Sequence, residues 1–120
     1  MVGTPYWMAP EIIQMARFTT GSDIWSLGCT LLELLNGEPP YYDLAPISAL
    51  YRIVQDPHPP LPTHVSAAAL SFLRLCFARD PADRPSASEL LRHAWLAPVS
   101  HAPSAPAPEP FLDPHPHPKP

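Results

Sequence analysis

S-D-I-W-S-L-G-C-T-L-L-E-L-L-N-G, residues 22–37, is the stretch whose reading decides the fold. Between Ile24 and Leu35 the only charge is Glu33, and apolar side chains fall at Ile24, Trp25, Leu27, Cys29, Leu31, Leu32, Leu34 and Leu35. A helix that is apolar nearly all round is a buried one. About 14 helical residues rise roughly 21 Å, too short to cross a bilayer. Asn36-Gly37 supplies a left-handed stop, and Pro39-Pro40 prevents resumption. The residues therefore predict an all-α fold, with helices laid around a central buried helix at about 22–37. Asp23 is the oddity. In the first turn its carboxylate is favoured by the helix dipole, which is an ordinary structural reason for its presence.

Outward from that helix, the bulk properties bound the answer. A chain of 120 residues with 46% apolar content is enough for one ordinary domain. A net charge of −4 without a basic block argues against a nucleic-acid surface. Cys29 and Cys76 both sit in apolar helical patterns, so they read as small buried hydrophobes rather than a disulfide or a metal site. Residues 1–20 lack a basic start followed by an apolar run, so no secretory signal is expected. The expectation is a soluble cytoplasmic protein with no membrane segment.

On the amino-terminal side, Gly3, Pro5 and Pro10 break an irregular loop. Pro10 suits the first position of a short helix through Gln14, and Ala16 to Gly21 is expected to connect it to the central helix. On the other side, a helix fits Ile47 to Val54, with Ile47, Leu50, Tyr51 and Val54 at helical spacing. Prolines force residues 55–65 into an extended run. A helix from Ser66 to Ala78 is expected to bury Leu70, Leu73, Cys76 and Phe77, with Ser66 as its cap. The last helix starts at Ser86, where S-A-S-E matches a capping box with Glu89, and carries Leu90, Leu91, Trp95 and Leu96. No run alternates as a strand requires.

Composition changes at Pro98. Of the 23 residues at 98–120, nine are proline, so this segment is expected to be a disordered tail. Pro103 and Pro106 form one Pro-x-x-Pro, a weak ligand for a proline-binding domain because no basic anchor stands nearby. His115 and His117 alone are too few for a metal site.

Four spellings occur in order: G-T-P-Y-W-M-A-P-E at 3–11, S-D-I-W-S-L-G at 22–28, D-P-A-D-R-P at 80–85 and S-E-L-L-R-H-A-W-L at 88–96. Together they resemble the carboxy-terminal part of a eukaryotic protein kinase domain, the serine/threonine branch, and within it most closely the MAP kinase kinase kinase group. The resemblance implies the C-terminal half of the kinase large lobe over residues 1–97. It also implies roles. Thr4 would meet the peptide substrate, and Gly3, Pro5, Tyr6 and Trp7 would shape the pocket for the residue after the phosphoacceptor. Glu11 would pair with Arg84 inside the protein, and Asp23 would accept hydrogen bonds from the catalytic loop. Trp25 and Gly28 would pack beside it. Without the resemblance, Thr4 is a turn residue and Glu11 and Arg84 are two surface charges.

The same comparison exposes what these 120 residues do not spell. The glycines are Gly3, Gly21, Gly28 and Gly37, which draw no phosphate loop, and the only lysine is Lys119. Neither His-Arg-Asp nor Asp-Phe-Gly occurs. ATP and magnesium are therefore expected in a complete parent domain and not in this chain. Two functions compete. One is a kinase-lobe fragment carrying substrate docking and structural parts, with protein substrates of the parent as partners. The other is a catalytically inactive scaffold or decoy. An uncovered strip of Leu and Trp on the central helix is expected to make the fragment prone to association.

Overall fold

The computed structural model describes residues 5–97. Gly3, Thr4 and the proline-rich segment 98–120, with Pro103, Pro106, His115, His117 and Lys119, lie outside the described residues. The elements are α1 (Pro10–Ile13), α2 (Thr20–Asn36), α3 (Pro46–Gln55), α4 (Ala67–Cys76) and α5 (Ala87–Leu90), with 3-10 turns at Pro5–Trp7, Pro81–Asp83 and Ala94–Leu96. No strand occurs among the described residues. No helix among them is long and apolar enough to cross a membrane.

The expected central helix is α2, and it begins at Thr20 rather than Ser22. The two extra residues follow from Thr19 at the cap, whose backbone N–H donates to Ser22 Oγ at 3.3 Å and closes the helix start. Gly37 ends it in the left-handed region, at φ 88°, with its N–H donating to Glu33 O at 2.8 Å. Trp25, Cys29 and Leu32 enter a core with Tyr6, Ala9, Tyr41, Ala49, Ile53, Leu73 and Phe77. Ile24 joins a second cluster with Phe72, Cys76 and Leu90.

The helix is not buried all round, which corrects the sequence expectation. Leu34 is 77% exposed and Leu27 38%, while Leu31 and Leu35 are half-buried. Leu27 and Leu34 lie seven residues apart on one line of the helix, and no described element covers that line. Trp25 is no part of the uncovered strip, since it is 1% exposed.

The close approach of α2 to α4 explains Gly28. A Cβ there would fall 2.8 Å from the Phe77 ring and 2.9 Å from Cys76 Cβ, so any larger side chain holds the two helices apart.

Elsewhere the local signals hold and the faces shift. In α3 the core side chains are Ala49 and Ile53. Ile47 and Tyr51, expected at the buried spacing, are 80% and 65% exposed. Small Ala49 lets α3 lie close to the loop at Tyr6, and that packing outweighs the more apolar stripe. In α4 the Ser66 hydroxyl accepts from Ala69 N–H at 3.1 Å. Phe72 is buried where Leu70 is only half-buried. In α5 both capping-box bonds form between Ser86 and Glu89, each at 3.1 Å. This helix stops at Leu90, Leu91 is 72% exposed, and Trp95 sits in a separate 3-10 turn.

Candidate functional site

Pro5 fixes the backbone of the first turn, and Met8 N–H closes it onto Pro5 O at 2.9 Å. Three further bonds hold this loop. The Tyr6 hydroxyl donates to Leu44 O at 2.7 Å, Trp7 Nε1 donates to Glu33 Oε1 at 3.1 Å, and the Ser26 hydroxyl donates to Trp7 O at 2.6 Å. The Tyr6 ring meets Trp7 edge-on at 6.2 Å and Tyr42 at 5.2 Å. Pro5, Tyr6 and Trp7 are thus brought together and clamped between α2 and the turn before α3. Sequence reasoning passed over Ser26, Tyr42 and Glu33 as site residues. The available signal was Glu33, a lone carboxylate in an apolar run.

Glu11 and Arg84 stand 73 positions apart in the chain and meet in the interior. Arg84 Nη1 and Nη2 donate to Glu11 Oε2 and Oε1 at 2.8 and 2.9 Å. Nη1 also donates to Gly21 O at 2.8 Å, Nη2 to Arg79 O at 3.2 Å and Nε to Ala78 O at 2.7 Å. All five guanidinium donors are used. The Ser22 hydroxyl adds a bond to Glu11 Oε2 at 2.7 Å. The Arg84 guanidinium also lies 5.0 Å from the centre of the Trp25 ring. One pair thus ties α1, the start of α2 and the link between α4 and α5 together.

Burial alone pushes the Glu11 carboxyl up, yet the bonds from Arg84 and Ser22 hold it below its ordinary value of 4.5. A carboxyl depressed on folding contributes stability that is present above the unfolded value and lost as pH falls through the folded one. The wild-type urea midpoint is therefore expected to drop more steeply below pH 4.5 than that of Glu11→Gln, which has no such proton to gain. Parallel curves for the two proteins would count against the pair as the acid-labile element.

Asp23 is exposed in the first turn of α2 and makes no side-chain hydrogen bond among the described residues. It lines a cleft of about 350 Å³ with Thr20, Ile24, Ser86, Ala87 and Ser88. Trp25 packs edge-on against Phe77 at 5.0 Å, and its Nε1 has no hydrogen-bond partner among the described residues. Cys29 and Cys76 are free and buried, and burial pushes both thiols up to about 12. A buried thiol raised in this way is a weak nucleophile at neutral pH. No cluster of three or more His, Cys, Asp or Glu that could hold a metal occurs among the described residues.

A second network went unread in the sequence. Arg79 caps the end of α3 by donating to the carbonyls of Ile53 and Asp56 at 2.9 Å and to that of Val54. The Tyr41 hydroxyl donates to Asp56 Oδ2 at 2.6 Å, and Arg52 pairs with the same carboxylate at 3.0 Å.

The family model described as "Protein kinase domain" matches residues 1–96. Over 96 residues, 80% of this chain, the sequence is 59% identical to Cell division control protein 7 of Schizosaccharomyces pombe. Over the same share it is 60% identical to Cytokinesis protein sepH of Aspergillus niger and 57% identical to MAP3K epsilon protein kinase 2 of Arabidopsis thaliana. The matched region spans 9%, 7% and 7% of those three proteins.

Proposed function

The chain belongs to the protein kinase domain family, and from that premise we propose that it carries the substrate-docking and structural part of a serine/threonine kinase lobe of the MAP kinase kinase kinase type. The observation that carries the reading is the clamped loop. A docking surface must hold its shape before the peptide arrives, since ordering it on binding weakens affinity. Tyr6 and Trp7 are fixed by bonds to Leu44, Glu33 and Ser26. Gly3 and Thr4, which precede Pro5 in the sequence, are assigned to the same peptide pocket by this proposal. In the complete domain a γ-phosphate passes from ATP to a protein hydroxyl, and the groups holding ATP and magnesium belong to other sequence. The described residues contain no lysine to grip phosphates, so no step of that reaction is assigned to them. Glu11, Arg84, Trp25 and Gly28 set the frame, and Asp23 is the proposed anchor for a catalytic loop.

Two measurements test this. ATP with magnesium titrated into the 120-residue protein is expected to give no saturable binding at millimolar concentration. Serine- and threonine-containing peptides arrayed on a surface are expected to be retained, and Trp7→Ala to lose them without loss of helicity. Saturable ATP binding, or a peptide set unchanged by Trp7→Ala, would overturn the assignment.

A second reading, an inactive scaffold or decoy, is favoured by Tyr42, Ile47 and Tyr51, which stand 53%, 80% and 65% exposed around α3. In that case Ile47→Glu abolishes partner capture while Trp7→Ala does not. Cytoplasmic residence belongs to the same proposal, supported by two buried cysteines that form no disulfide. So does recruitment of a proline-binding domain by Pro103 and Pro106.

A further inference from the structure

The fourth motif, S-E-L-L-R-H-A-W-L, has no part in peptide docking, yet its histidine is held by unusual constraints. The Trp95 backbone N–H donates to His93 Nδ1 at 3.0 Å. An amide N–H can only donate, so Nδ1 must present its lone pair. A neutral ring then carries its proton on Nε2, which lies 3.1 Å from the Ser71 hydroxyl on α4. The ring also stands edge-on to Phe72 at 5.2 Å, and Phe72 meets Trp95 at 5.1 Å. One imidazole therefore caps the Ala94–Leu96 turn, ties it to α4 and sets Trp95 against the cluster of Ile24, Phe72, Cys76 and Leu90.

We propose that His93 is an acid-sensitive latch that keeps Trp95 closed over this cluster when neutral and releases it when protonated. A proton on Nδ1 sets an N–H against the Trp95 N–H at 3.0 Å, where the closed form needs an acceptor. The surrounding charges do not compensate. On its own segment, Glu89 spends Oε1 on the Ser86 N–H, and Arg92 is a second cation. The only charge on α4 is Arg74. On α2 the charges are Asp23 and Glu33, and Glu33 is taken by Trp7. None of these is bonded to His93, so among the described residues no carboxylate takes up the second ring N–H in the closed form. Histidine is the side chain that changes charge between pH 5 and 8. The latch is independent of the docking role and stands or falls on its own.

The test follows the Trp95 backbone and indole N–H by NMR on the isotope-labelled 120-residue protein between pH 7.5 and 5.5, with Trp95→Phe giving the indole assignment. After correction for intrinsic exchange, Trp95 amide protection is expected to fall several-fold in the wild type. It is expected to stay flat in His93→Asn, whose Oδ1 supplies a cap acceptor that gains no proton. An unchanged wild type, or the same pH response in His93→Asn, would overturn the latch. Should His93→Asn not fold, the wild type still decides. The imidazole Cε1–H and the Trp95 signals must then share one midpoint, and separate midpoints reject the proposal.

Discussion

Arg84→Ala is expected to lower the stability of the 120-residue protein by on the order of 3–5 kcal/mol, read as a shift of the urea midpoint at unchanged slope. The magnitude follows from what is left behind. Among the described residues Glu11 Oε1 loses its only side-chain donor, and Oε2 keeps Ser22 alone. A carboxylate then remains in the interior without a counter-charge, and the carbonyls of Gly21, Ala78 and Arg79 lose their partner as well. Total stabilities of about 5–15 kcal/mol make this a large share of the whole. Arg84→Lys is expected to rescue little, because a single ammonium cannot reach five acceptors in a planar fork. Glu11→Leu combined with Arg84→Met is expected to be milder than either single removal, since it leaves no buried charge unpaired. A loss under about 1 kcal/mol for Arg84→Ala would place the pair in solvent in the working protein.

What could be read from the sequence divides by range. Ser66, Ser86 with Glu89, Pro10 and Gly37 act within one helical turn, and each stands where its own chemistry puts it. Which face of a short helix turns inward depends on neighbours far along the chain. Ile47 and Tyr51 lost to Ala49 and Ile53 because a small side chain permits close packing, and hydropathy gives alanine little weight. For Glu11 and Arg84 the apolar or proline-bounded settings say that each charge needs a partner, and the resemblance to a kinase domain names that partner across 73 positions. The clamp on Trp7 and the Arg79 cap on α3 were missed because nothing local links their positions. Both join a side chain to a partner more than 20 positions away.

Trp25→Ala is expected to cost about 3–5 kcal/mol, because truncating a large core aromatic leaves a cavity that its surroundings only partly fill. Here the surroundings are poorly able to collapse. Gly28, one turn along α2, has no side chain to move, and α4 already touches α2 at that point through Phe77 and Cys76. The indole also supplies the ring beneath the Arg84 guanidinium, so its loss weakens the pair from the apolar side. The double variant Trp25→Ala with Arg84→Ala is therefore expected to fall short of the sum by about 0.5–3 kcal/mol, as contacting residues do. Trp25→Phe separates volume from polarity. It removes an Nε1–H that has no hydrogen-bond partner among the described residues, and a buried unsatisfied donor costs about 1–3 kcal/mol. Phenylalanine is then expected to retain most of the wild-type stability while alanine does not. Should thermal and urea unfolding find alanine as harmless as phenylalanine, α2 is not the helix around which the rest of the chain packs.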